Sequence, residues 1–137
     1  MTKKLLFAVP LVAGAALLSI TAHSEEAGDR PGSKARPVEV LGEPVSCIST
    51  SRIRNTEVHD DYTIDFKMSG GDVYRNTLPA RCPQLGFEER FAYEVSTSQL
   101  CSVETIAVIT SGAVRGGPRC SLGKFTPVRY IETAAGG

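Results

Sequence analysis

The chain has 137 residues, with 15 basic against 15 acidic side chains and no tryptophan. That balance gives no electrostatic ground for a nucleic acid or an anionic membrane as partner. At this length one small domain is expected, and a core of that size calls for covalent staples.

Lys3 and Lys4 precede the apolar run Leu5 to Ile20, and the small-residue site Ala22-His23-Ser24 follows. These are the three parts of a secretory signal peptide, spanning residues 1–24 with cleavage after Ser24. The run is shorter than the ~18 to 20 residues that cross a bilayer and contains Pro10 and Gly14, so a membrane anchor is not expected. No cysteine stands at the cleavage site to carry a lipid. The expected location is bacterial, periplasmic or secreted. Cleavage removes two lysines and no acid, leaving 15 − 2 = 13 basic against 15 acidic residues.

Residues 25–44 are rich in glycine, proline and charge and show no apolar period, the composition of a disordered linker. The folded domain is expected over 45–131, with 132–137 as a flexible tail.

Within the domain, strand-forming stretches are read over Ile53 to His59, Tyr62 to Met68, Val73 to Leu78, Phe91 to Val95, Thr105 to Ile109 and Lys124 to Ile131. The second is the clearest. Tyr62, Ile64, Phe66 and Met68 alternate with Thr63, Asp65 and Lys67, the period of a strand with one buried face. Ser69-Gly70-Gly71-Asp72 then makes a turn into the third stretch, giving a β-hairpin. Asp65 and Lys67 are expected on the wet face. Thr105 to Ile109 is apolar on both faces and so central. Pro127 points to an edge or a bulge. Leu85 to Arg90 can hold one helical turn that brings Phe87 against Phe91. Six short strands without a sustained helical period indicate an all-β fold: a small disulfide-stapled antiparallel barrel of OB or SH3-like type, or a sandwich.

The cysteines are Cys47, Cys82, Cys101 and Cys120, an even number with no Cys-x-x-Cys pair. In an exported chain they read as two disulfides rather than a zinc site. Three connectivities are open. In an up-and-down meander Cys47 and Cys101 fall at one end and Cys82 and Cys120 at the other, which prefers those two pairs.

No motif declares an activity. His59 beside Asp60 and Asp61 allows a small hydrolase-like enzyme, but the ordinary role of Asp-Asp at a strand end is a tight turn. The glycine pairs open no helix and make no phosphate site, and neither a cofactor nor a metal site is read. Tyr62, Tyr74 and Tyr93 with Arg54 and Arg75 offer a binding face, where guanidinium forks and rings can grip a carboxylate, sugar or peptide. The leading expectation is a non-enzymatic binding or structural module whose partner is an envelope protein, peptide or glycan.

A wider pattern carries a resemblance. It comprises Cys47-Ile48, Ile53-Arg54, Val58-His59-Asp60-Asp61, Thr63-Ile64, Gly70-Gly71, Tyr74, Asn76, Leu78-Pro79, Cys82-Pro83-x-Leu85, Leu100-Cys101 and Cys120-Ser-Leu-Gly123-x-Phe125. It resembles a family of small exported proteobacterial proteins, domain-of-unknown-function family sixty-four ninety-one. The resemblance spans about Val45 to Val128 and implies export, an all-β domain and paired cysteines. It implies no activity and carries over no functional residue.

Overall fold

A computed structural model describes residues 33–112 and 116–132. The signal-peptide reading, residues 25–32 of the linker and the tail from 133 onward lie outside the described residues. The hairpin forms as its alternation requires. Strand β4 (Thr63–Met68) pairs antiparallel with β5 (Val73–Thr77), setting Phe66 opposite Tyr74 and Asp65 opposite Arg75. β4 pairs on its other side with β3 (Ile53–Val58), with a register irregularity between Ile53 and Asn55.

The turn between β4 and β5 holds Gly70 and Gly71 both at φ 95°, a conformation that costs any residue with a Cβ. An added Cβ meets nothing within 4 Å at Gly71 and only the Arg52 guanidinium at 3.9 Å at Gly70. Crowding is therefore not the issue. Gly70→Val and Gly71→Val are each expected to lose about 1 to 3 kcal/mol through backbone strain alone. Denaturant melts of the two variants check this; midpoints at or above the parent's contradict it.

The meander does not continue in chain order. Strand β10 (Phe125–Tyr130) returns beside β5, and β1 (Val38–Val40) closes the sheet, giving the order β1-β10-β5-β4-β3. Two expectations are corrected here. Residues 38–40, read as linker, form an edge strand, because backbone pairing to β10 needs no apolar period of their own. β10 is in consequence an interior strand, not an edge. Pro127 lies just past the end of β1, where its carbonyl accepts the Leu41 N–H at 2.8 Å.

Two smaller antiparallel sheets complete the domain. Strands β2 (Cys47–Ser49) and β7 (Gln99–Cys101) pair with each other, while β8 (Thr105–Val108) lies between β6 (Phe91–Tyr93) and β9 (Arg119–Ser121). The central place expected for the Thr105 stretch is observed. The sheets stay open and enclose one core, so the fold is all-β, antiparallel and disulfide-stapled but not a closed barrel. Ile64, Phe66, Leu78, Leu85, Leu100, Ile106, Val108 and Phe125 are all fully buried in that core. Phe66 meets Phe125 edge-on at 5.4 Å between ring centroids, a favoured aromatic geometry.

The disulfides join Cys47 to Cys101 and Cys82 to Cys120. The first pair arises from direct cross-strand opposition in β2 and β7, with Cα atoms 4.0 Å apart, rather than from two ends of a meander. Intact disulfides place the folded chain in an oxidising environment. Their loops span 54 and 38 residues, so on the chain-entropy account each stabilises by roughly 4 kcal/mol. The unfolded, unreduced protein should show no free thiol to a titrating reagent, and reduction should lower its melting temperature sharply. A stoichiometric thiol signal contradicts the pairing.

The helical turn α1 (Leu85–Glu88) is present, but the expected contact of Phe87 with Phe91 is not made. Phe91 packs on Phe66 at 6.1 Å, while Phe87 is 86% exposed. Leu85 takes the inward position of the turn instead, because the chain enters α1 through a left-handed Gln84.

Candidate functional site

Alternation sends Asp65 to the face of β4 opposite Phe66, as expected, yet Asp65 is fully buried. Its carboxylate is the centre of a cluster on the outer face of the five-stranded sheet. Arg75 donates from Nε to Oδ1 at 2.8 Å and from a terminal nitrogen to Oδ2 at 2.9 Å. His59 Nε2 lies 2.7 Å from Oδ2, and the Tyr130 hydroxyl donates to the same oxygen at 3.0 Å. The β-sheet register explains the convergence: Glu57 lies opposite Asp65 on β3, His59 follows two residues on, and Arg75 is opposite on β5.

The cover is the segment 33–37. Ser33 donates to the Asp60 carboxylate at 2.9 Å, the Arg36 guanidinium lies 4.0 Å from the Tyr130 ring centroid, and Pro37 accepts the Ile131 N–H. This segment thus crosses the face between the β3–β4 turn and β10.

The electrostatics follow. Burial pushes the Asp65 carboxyl up, but the hydrogen bonds and charges of Arg75 and His59 outweigh it and leave the group lowered to about 2. Burial, and then the Asp65 charge, push the Tyr130 hydroxyl well above its ordinary value, so it stays a neutral donor. At the cluster's edge Glu57 pairs with Lys67 at 2.6 Å, and that hydrogen bond lowers its carboxyl. Among the described residues no buried side-chain polar atom lacks a partner.

This arrangement fixes the His59 ring against the Asp65 carboxylate. The carboxylate orients the ring, as an acid does in a hydrolytic triad. The other nitrogen, Nδ1, faces Glu57 at 3.8 Å, and the ring is 4% exposed. Asp60 and Asp61 do not serve His59. Asp60 accepts the Tyr62 N–H at 2.8 Å, the tight turn anticipated, and Asp61 accepts the Gly86 N–H and the Arg81 side chain.

The five residues expected to make a binding face do not share one. Arg75 is buried on Asp65, so it is not displayed for a ligand. Arg54 is exposed on the edge strand β3, and Tyr93 leans on Phe91 at the core margin. Tyr62 sits at the β3–β4 turn, where its carbonyl accepts the Leu78 N–H. Tyr74 lines a concave surface. This is a groove of about 300 Å³ between the β4–β5 turn and β10, walled by Leu41, Val73, Tyr74, Pro127 and Val128, with Asp72 and Arg129 at its lining. Both charges are already paired, Asp72 with Arg52 and Arg129 with Glu39. The groove's walls come from three separate stretches of chain, which leaves no local signal to find it by. The Asp65 cluster had one: a hairpin centred on Gly70 sets Asp65 across from Arg75.

Among the described residues no three histidine, cysteine, aspartate or glutamate side chains gather as a metal site, and no helix is long and apolar enough to cross a membrane. Comparison with protein-family models, with curated proteins and with solved structures returns no match.

Proposed function

We propose that this chain is an exported, non-enzymatic β-domain that binds a protein partner in the bacterial envelope, and that the groove beside Tyr74 is where it does so. Export rests on the residue 1–24 pattern with cleavage after Ser24 and on the oxidising environment that the disulfides require. Membership of domain-of-unknown-function family sixty-four ninety-one belongs to the same proposal, on the residues quoted above. The observation that carries the binding reading is the groove itself. It is a concave surface with apolar walls at which exposed side chains such as Leu41, 54% exposed, meet an aromatic ring, and ligand sites are concave with mostly apolar linings. His59 supports the non-enzymatic part, being buried and tied to Asp65.

Affinity capture from envelope extract tests the reading with three baits. The parent and His59→Gln should retain the same partner, and Leu41→Arg should lose it. Capture that depends on His59 and ignores Leu41 contradicts the proposal, as does ester or peptide hydrolysis that His59→Gln abolishes.

A further inference from the structure

We propose that Cys47–Cys101 is a thiol–disulfide exchange site, opened and closed by an external dithiol while the domain stays folded, and that Cys82–Cys120 is a permanent staple. The two disulfides sit in opposite surroundings. Cys82 is fully buried within the core cluster, and Cys120 packs against that cluster from β9. Cys47 and Cys101 are only partly buried, and neither belongs to the core. Strand period gives the reason. The middle residues of β2 and β7, Ile48 and Leu100, point inward at 5% and 0% exposure, so Cys47 and Cys101 beside them take the outer face. That face has little cover. Ser46 is exposed, Ser102 is partly buried and Val103 is 89% exposed. Exchange depends on access of a thiolate to sulfur, and exposed disulfides are the labile ones.

What holds β2 to β7 does not pass through sulfur alone. Ser102 donates its N–H to the Ser46 carbonyl at 2.8 Å and Thr50 to the Ser98 carbonyl at 3.0 Å, one bond beyond each end of the paired residues. Ile48 and Leu100, opposite one another, keep both strands in the core. Glu104 donates its N–H to the Cys101 carbonyl at 3.1 Å and accepts the Cys101 N–H at 2.6 Å, which fixes the turn after β7. Reduced cysteines therefore stay opposed on strands whose Cα atoms lie 4.0 Å apart in the bonded form, placed to close again. The exchange balances. A thiolate of the dithiol attacks one sulfur of the pair; a mixed disulfide forms, the Cys47–Cys101 bond breaks, and its electron pair leaves on the other cysteine. The second thiolate of the dithiol then attacks its own sulfur in the mixed disulfide and frees the remaining cysteine. The dithiol ends as a disulfide, and its two protons end on Cys47 and Cys101. The site is separate from the groove beside Tyr74 and does not depend on it.

Timed reduction of the folded, full chain tests it, with dithiothreitol in one arm and a thioredoxin-type protein dithiol in the other. Samples are quenched by alkylation and the modified cysteines are mapped on peptides. Cys47 and Cys101 should be alkylated at least about tenfold faster than Cys82 and Cys120. The species opened only there should keep the Ile64 and Phe66 amides protected from hydrogen exchange, and oxidised dithiothreitol should restore the bond. Opening in both arms identifies a protein dithiol as a competent reductant, and opening by dithiothreitol alone assigns the site to small dithiols. Four thiols released together, Cys82 and Cys120 reacting first, or no opening of the folded chain in either arm overturns the proposal. So does loss of amide protection in β4 as soon as Cys47–Cys101 opens.

Discussion

Asp65→Ala is expected to destabilise the domain by about 3 to 5 kcal/mol, the cost of removing one partner from a buried ion pair. The loss is large because Arg75, 9% exposed, then loses the buried carboxylate that accepts two of its hydrogen bonds, and Tyr130 and His59 lose the oxygen they share. Acid should produce part of the same effect. Asp65 is lowered in the folded chain from an ordinary 3.8 to about 2. Its contribution, about 2 kcal/mol, is thus complete above the unfolded value and is lost as the pH falls through the folded one. Glu57 and Asp60 are lowered too and add in the same direction. Denaturant melts between about pH 5 and pH 2 should show a steeper loss for the parent than for Asp65→Asn, which has no carboxyl to protonate. Parallel losses mean that the cluster does not govern acid stability.

Phe66→Ala should cost a similar amount, about 3 to 5 kcal/mol, for a different reason. Phe66 is fully buried between Phe91 and Phe125, so truncation removes apolar contact and leaves a cavity in the core. Lys67→Ala, one residue on, removes a part-exposed pair with Glu57 and a contact with the Tyr130 ring at 5.7 Å, and should change stability by less than about 1 kcal/mol. The contrast between neighbours is the test of register. Equal midpoint shifts contradict the placement of β4.

Those two neighbours also mark what the amino-acid sequence makes legible. β4 is readable because six residues alternate cleanly and the Gly70-Gly71 turn follows. The cysteine pairing is readable because four cysteines leave only three connectivities. β1, β2, β7 and β9 are not, since each has three residues, too few to carry a period, and all but β9 pair with a distant partner. The ion pair between Glu39 and Arg129 bridges 90 positions, a separation at which local pattern says nothing.

Asp65 is the instructive failure. Alternation gives its face but not its burial, because the cover comes from Tyr130 and from residues 33–37, whose composition reads as linker. The site suffers the same limit. Residue type points to Tyr74, but a groove built from Leu41, the β4–β5 turn and β10 exists only once those segments meet.

The central claim, that recognition occurs at this groove, is tested most directly by photocrosslinking in the intact envelope. A photoreactive residue at position 41 is compared with one at position 54, on the exposed edge strand β3 at the far side of the same sheet. A discrete protein adduct from position 41, with none from position 54, is the predicted result; adducts of equal yield from both, or from position 54 alone, would contradict it.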